Sequence, residues 1–408
     1  MFSQRALCAC AIFTLACTKT YADPIELSGF ATFGATYTDS DQLAFRSDVS
    51  VDDGETKQID FGSLSRIGIQ VDKRFNEDWS VTGQWVLKRH VDYSLDQLTQ
   101  LAFVSYSPTP NWTVKAGRTA FDLFMMSPYR NIGYAYTETH APVEFYGLIP
   151  HQNIDGIEIS SSHGFAQGNF RTRLYAGKTK NYLSNFEYEW ELELKDVLGA
   201  TLSYEFNNWL LRTNYTEAEI GGQPVDDYYP LLQGAQLVPP QIWPEVLEVA
   251  LDTNPIGTKL KYANVGLKYD NGQYYAQSEL AYIDANSALL NDLVNGYAHV
   301  GKRWDTYSLQ LGYSFTDGKA YETPEPRVRT QFTDLIFQGL DRALNYYVND
   351  QSTISISGRY DFRADMAAKL QVEFVDLELE DNQFMLRTQS TAGKESLVVI
   401  SATLDWVF

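Results

Sequence analysis

The sequence predicts an all-β chain: a transmembrane antiparallel β-barrel of about sixteen strands, with short periplasmic turns, long extracellular loops and one constriction loop folded into the lumen. Three observations predict it. Apolar residues recur at every second position over runs of about ten residues, the length that carries a tilted strand across a bilayer. Connections between the runs alternate between short and long. The chain begins on an export-type segment and ends on an alternating apolar run.

Residues 1–22 read as a secretory signal. Arg5 supplies the positive end, the run Ala6–Ala16 the apolar core, and Thr20-Tyr21-Ala22 a peptidase site that would leave Asp23 first. A lipoprotein site at Cys17 would need a large aliphatic residue where Thr14 stands. All three cysteines, Cys8, Cys10 and Cys17, fall inside this segment, so residues 23–408, read as one barrel domain, can build neither a disulfide framework nor a thiolate metal site. Without Arg5 and Lys19 the chain carries 30 basic and 52 acidic residues, a balance that argues against a nucleic-acid partner. Nothing after the signal approaches the roughly 20 apolar residues of a spanning helix.

Period-2 runs then place strands near 26–37, 64–75, 79–90, 98–107, 112–119, 153–162, 168–178, 191–206, 209–218, 258–269, 272–284, 295–304, 306–316, 352–363, 366–380 and 396–408. The last is the clearest: Val398, Ile400, Ala402, Leu404, Trp406 and Phe408 share one face, and Ser401, Thr403 and Asp405 take the other. Asn76-Glu77-Asp78, Pro108 to Asn111, Asn207-Asn208 and Asn271-Gly272 are short links, whereas 38–63, 120–152, 179–190, 219–257, 317–351 and 381–395 are long. A barrel whose rims face different compartments accounts for that alternation, and a soluble sandwich does not. Closure also pairs every backbone N–H and C=O, which lipid cannot do. Trp79, Trp112, Trp209, Trp304 and Trp406 stand near strand ends, where interfacial girdles sit.

Several stretches carry a family resemblance. Leu27 to Tyr37 (LSGFATFGATY) and Ser65-Arg66-Ile67-Gly68-Ile69 are similar to the first two strands of Gram-negative general diffusion porins of the sixteen-stranded, trimeric kind, and Lys115-Ala116-Gly117-Arg118 is similar to the end of their fifth strand. The third long connection, 120–152, resembles the loop that narrows their lumen, with Pro142 to Gly147 (PVEFYG) similar to its acidic, glycine-containing segment. Leu404, Trp406 and the terminal Phe408 resemble the signal read by the barrel-assembly machinery. The resemblance implies a passive channel for small hydrophilic solutes and ions in the Gram-negative outer membrane, assembled as a homotrimer and needing no cofactor.

Parity assigns the charges. Arg66 and Arg74 oppose the face of Ile67, Ile69 and Val71, and Lys88, Arg171, Arg173, Arg212, Lys268, Arg359 and Lys369 likewise turn inward. Arg118 has the parity of Val114 and Ala116, so only a bulge at Gly117 would bring it inward. The constriction is expected to set basic Arg66, Lys88 and Arg118 against acidic Asp122, Glu138 and Glu144 of loop 120–152, a transverse field that orients dipolar solutes. Loop 38–63 carries Asp39, Asp41, Asp48, Asp52, Asp53, Glu55 and Asp60, which either bridge through divalent cations to lipopolysaccharide or simply solubilise the surface. One loop changes period: within 326–348, Phe332, Leu335, Ile336, Gly339, Leu340, Ala343, Leu344 and Tyr347 recur at helical spacing behind Pro324 and Pro326, and a shorter helix fits 244–252.

Signs of covalent chemistry are lacking. The histidines, His90, His140, His151, His163 and His299, show no metal-ligand spacing, and there is no P-loop and no G-x-S-x-G elbow. Few residues precede the first strand, so no plug domain is expected. Two alternatives stay open: a substrate-selective channel, in which Phe121, Phe124, Tyr129, Tyr134 and Tyr136 form a sugar slide rather than pack the loop to the wall, and a barrel enzyme such as a phospholipase.

Overall fold

Period-2 alternation becomes a sealed wall. The computed structural model describes residues 24–51, 53–184, 189–222, 228–285, 287, 290, 292–345, 348–378, 384–387 and 393–408; the expected signal at 1–22, Asp52 and Tyr347 lie outside the described residues. The strands are β1 (Glu26–Thr38), β2 (Leu43–Phe45), β3 (Arg66–Arg74), β4 (Trp79–Lys88), β5 (Thr99–Thr109), β6 (Trp112–Ala120), β7 (Asn153–Phe165), β8 (Gly168–Ser184), β9 (Glu189–Phe206), β10 (Trp209–Gly221), β11 (Lys259–Asp270), β12 (Tyr274–Asp284), β13 (Leu293–Arg303), β14 (Tyr307–Gly318), β15 (Asp350–Arg363), β16 (Met366–Glu378), β17 (Met385–Arg387) and β18 (Lys394–Val407). All but β2 and β17 pair antiparallel with two neighbours, and β1 meets both β3 and β18, which closes a barrel of sixteen strands. Each run read from the sequence is one of these. The two short strands, β2 and β17, form a separate ribbon between loops.

Cross-strand register keeps the two faces apart. Ala31 lies opposite Trp406 and Phe33 opposite Leu404 on the outer face, while Thr32 lies opposite Asp405 on the inner one. Ile67, Ile69, Leu309, Leu370 and Leu404 are exposed on the outside; Gln371, Thr403 and Asp405 are buried inside. A continuous apolar surface of this extent suits hydrocarbon, not water. Near the short turns the outer face becomes aromatic: Trp79 stacks on Tyr106 with centroids 4.5 Å apart, Trp209 meets Tyr269 at 4.7 Å and Tyr307 stacks on Tyr360 at 4.7 Å.

The wall departs from the sequence reading around the expected long connection 179–190. β8 runs to Ser184 and β9 begins at Glu189, so most of that segment is strand. A β-bulge then interrupts β9. Gly177 pairs with Val197 but Thr179 pairs with Leu194, and Asp196 takes a left-handed φ of 51°. One inserted residue lets both Leu194 and Val197 turn into the core, and it takes Asp196 off the parity of Leu198 and Leu202.

Short helices decorate the loops: α1 (Leu95–Leu98), α2 (Val143–Tyr146), α3 (Tyr228–Gln236), α4 (Val246–Asp252) and α5 (Gln331–Leu344). α5 starts at Thr330, whose hydroxyl accepts from Thr333 N at 3.1 Å while Thr333 Oγ1 accepts from Thr330 N at 2.8 Å, a reciprocal cap. Its apolar stripe, Ile336, Leu340 and Leu344, packs with Trp243 and Val249 from the loop that carries α3 and α4.

Candidate functional site

The connection between β6 and β7, loop 3 (121–152), lies inside the barrel, and its base is closed by Phe121 N donating to Gln152 O at 3.0 Å. Its apolar residues explain why it stays there. Phe121, Phe124, Phe145 and Tyr146 are buried against Tyr175, Tyr262 and Tyr297 of the wall, with edge-to-face ring pairs between 5.0 and 5.8 Å. Wall polar groups then satisfy the loop backbone. Arg212 donates to Asp122 O at 2.7 Å and Leu123 O at 3.0 Å, Glu279 accepts from Met125 N at 3.0 Å, and Arg359 donates to Tyr134 O at 2.6 Å and Tyr136 O at 2.9 Å. Lys369 donates to Gly133 O at 2.5 Å and Glu138 O at 2.9 Å.

Asp122, Glu138 and Glu144 are placed otherwise than across an open lumen from the basic wall. Asp122 is held between Arg173 (2.8 Å) and Arg212 (3.3 Å). Glu138 accepts from Gln310 at 3.0 Å and faces His299 at 3.8 Å. Glu144 accepts from Ser314 at 2.7 Å, Gln351 at 2.6 Å and Thr353. All three are buried. A carboxylate stranded between loop and wall would carry a large desolvation cost, which these donors offset at Asp122 and Glu144, whereas Glu138 keeps one buried oxygen without a hydrogen-bond partner; the loop turns its acids toward the wall as anchors.

The opposite side stays cationic. Arg66 and Lys88 are direct cross-strand partners on β3 and β4, facing inward. Arg130 joins them from loop 3, buried, with its guanidinium 5.7 Å above the Tyr146 ring. Arg66 donates to Tyr136 Oη at 2.5 Å. The carboxylate among them comes from Asp48 in the connection between β2 and β3.

Arg118 lies elsewhere. Although Gly117 has a φ of 121°, the register runs unbroken through it, Phe103 to Gly117 to Gly156, so no bulge turns the next residue inward. Arg118 pairs with Asp155, which shares the outward face of Ile157 and Ile159. Its guanidinium bonds Asp155 at 2.7 Å and Asp96 at 2.8 Å, fastening the α1 segment to the outside of the wall.

The remaining basic residues share the inner face. Arg171 pairs with Glu205 at 3.2 Å, Arg359 with Asp361 at 2.7 Å and Lys369 with Asp405 at 3.1 Å; Arg74 is exposed near a short turn, and Lys268 stands on the face of buried Asn264 and Tyr262. Leu404, Trp406 and Phe408 are exposed on the outer face. Sequence reasoning gave no site role to Glu279, Asp405, Arg130 or Asp48. The first two were within reach, since Glu279 is the one acid on the inward parity of β12 and Asp405 stands on the inward parity of β18. The others sit on loops, where no period assigns a face.

A closed sixteen-stranded barrel with an inward-folded third loop is the architecture of outer-membrane porins. No family model matches the sequence, and a comparison with curated proteins returns no match. Solved structures do match in fold. The outer membrane channel DcaP of Acinetobacter baumannii is 14% identical with a TM-score of 0.53, over 97% of this chain and 100% of that one. OmpF of Salmonella typhi, solved with daunomycin, is 14% identical with a TM-score of 0.53, over 94% and 97%. An anion-selective porin from Comamonas acidovorans is 12% identical with a TM-score of 0.53, over 94% and 99%. The chain therefore has the fold of Gram-negative sixteen-stranded porins.

Proposed function

We propose that the protein is a passive channel of the Gram-negative outer membrane, through which small hydrophilic solutes and ions diffuse without a covalent step or a cofactor, and that its narrowest stretch favours anions. The observation that carries this reading is the division of charge inside the barrel. Loop 3 spends Asp122, Glu138 and Glu144 on the wall, while Arg66, Lys88 and Arg130, with a single carboxylate, Asp48, line a cleft between loop and barrel. Low-dielectric walls focus the field of such unbalanced charge on whatever passes. Assembly as a homotrimer, recognition of Leu404, Trp406 and Phe408 by the barrel-assembly machinery, contacts with lipopolysaccharide and export through a cleaved signal belong to the same proposal, on the strength of the sequence resemblance.

Planar-bilayer recording under a salt gradient tests it. Stepwise ohmic openings with an anion-favouring reversal potential are expected, and the double change Arg66→Gln and Lys88→Gln should move that potential toward cation preference. A bilayer that stays silent contradicts the channel, and a reversal potential indifferent to the double change contradicts the basic side.

A further inference from the structure

Loop 3 is not alone inside the barrel. The connection from β1 to β3, loop 1, is buried from Leu43 to Arg46, whose guanidinium donates to Ser184 O at 2.6 Å and Val51 O at 3.2 Å, and again at Asp48, Val49, Ser50 and Val51. Backbone bonds hold it on three sides: Val49 N donates to Gly147 O of loop 3 at 3.1 Å, Ser184 N of β8 donates to Val49 O at 2.9 Å, and Val91 N donates to Ser50 O at 3.1 Å. The fixed backbone sets Asp48 among Arg66, Lys88 and Arg130.

Asp48 lies among these cations without closing on them. Its carboxylate accepts from Ser50 N at 3.0 Å and from the Ser50 hydroxyl, but stands 3.6 Å from Lys88 Nζ and 3.8 Å from Arg130 Nη2, beyond hydrogen-bond length. Burial alone would raise its pKa, but Lys88, Arg130 and the Ser50 hydroxyl outweigh burial and hold it well below the ordinary carboxylate range, so Asp48 is ionised. Arg130 gives its donors to backbone carbonyls, Tyr146 O at 2.6 Å and Ile149 O at 3.3 Å, which orient the guanidinium and leave its charge in place. Arg66 has a buried Nε without a partner, and among the described residues no carboxylate lies within ion-pair distance of it. Two cations thus lie within 4 Å of one tethered anion, and Arg66 lines the same cleft.

We propose that this nest is a binding site for solutes carrying two or more carboxylates, and that Asp48 is a tethered carboxylate that competes with them and sets the site's affinity. Arginine presents a planar fork that matches a carboxylate in two bonds, and Lys88 adds a point charge. The charge surplus selects for a multiply charged anion over a singly charged one. The assignment rests on the channel reading, since the solute must reach the lumen from water.

The experiment is calorimetric titration of the full chain in detergent with citrate at low salt, with acetate as the singly charged comparator. Asp48→Asn, which keeps shape and removes the competing charge, should bind citrate about tenfold more tightly, and Lys88→Gln and Arg66→Gln should each bind it about tenfold more weakly, a step of about 1.4 kcal/mol. Acetate should bind far more weakly to all of them. The proposal is overturned if citrate gives no saturable binding, if Asp48→Asn binds no tighter than the parent, or if neither cation variant weakens binding; the cation variants decide the matter even where Asp48→Asn does not fold. Ohmic steps from a protein that does not bind citrate sink this site and spare the channel. Citrate binding by a protein that passes no current sinks the channel reading and spares the site.

Discussion

Lys369 joins the wall to the loop, and Lys369→Met isolates that link. The ammonium has no exposed surface; it lies 3.1 Å from Asp405, 4.6 Å over the Tyr136 ring, and donates to Gly133 O and Glu138 O of loop 3. Methionine keeps the volume and deletes the charge. Removing one partner of a buried ion pair costs about 3–5 kcal/mol, and a buried carbonyl that loses its donor about 1–3 kcal/mol. Asp405 keeps Thr32 at 2.6 Å and Thr403 at 3.0 Å, so the two costs do not simply add. A net loss of about 3–5 kcal/mol is expected. The damage should be local, because Gly133 to Glu138 lose one of their anchors, Arg359 still holding Tyr134 O and Tyr136 O, while the strand ladders are untouched. Urea unfolding in liposomes reads the stability, and open-channel current noise reads the loop. Adding Asp405→Leu removes the orphaned acid and should recover about half the loss. The reasoning is refuted if Lys369→Met stays within about 0.5 kcal/mol of the parent with unchanged noise, or if the double variant is no better than the single one.

Arg118→Ala should leave the reversal potential where the parent has it, because the guanidinium fastens α1 to Asp155 on the outer face; limited proteolysis should find 89–98 newly cleavable, and a shifted reversal potential would contradict the placement. His140 gives loop 3 a dependence on pH. Burial disfavours its charged form, but the Glu373 carboxylate at 3.1 Å outweighs burial, and the imidazole titrates above its ordinary 6.5; Gln371, Glu144 and the Phe45 ring are the other groups about it. The pair therefore stabilises the loop fully below the unfolded pKa, and that stability is lost as pH rises through the folded value. Current noise should grow with pH in the parent and stay flat in His140→Gln; a parent that is equally quiet throughout contradicts the linkage.

Much of the wall was legible because period 2 is a strong local signal that pairing on both sides reinforces. Val398 to Phe408 reads as one face of a strand before any partner is known. Parity fails where register slips: the extra residue at Asp196 and the strand continued to Ser184 depend on neighbouring strands, not on local pattern. The inside was less legible. Glu144 sits in a stretch that reads as a lumen acid, yet Ser314, Gln351 and Thr353 from β14 and β15 claim it. Those residues are 170 to 209 positions away in the chain, and each is ordinary in its own strand. Asp48 looked like one more solubilising acid in loop 38–63, and only the contacts of Val49 and Ser50 with Gly147 and Val91 bring it indoors. The helical stripe of 326–348 was readable from its period, though not the Trp243 it packs against.

Cysteine accessibility tests the sealed, water-lined cylinder most directly, since the sequence has no cysteine after Cys17. Arg66→Cys places a thiol on the inner face and Ile67→Cys places one on the outer face, a single residue apart. With a charged, membrane-impermeant thiol reagent added during bilayer recording, current through Arg66→Cys should change stepwise and current through Ile67→Cys should not. Equal reactivity at both positions, or reaction at 67 alone, would mean that the faces are not divided between water and lipid.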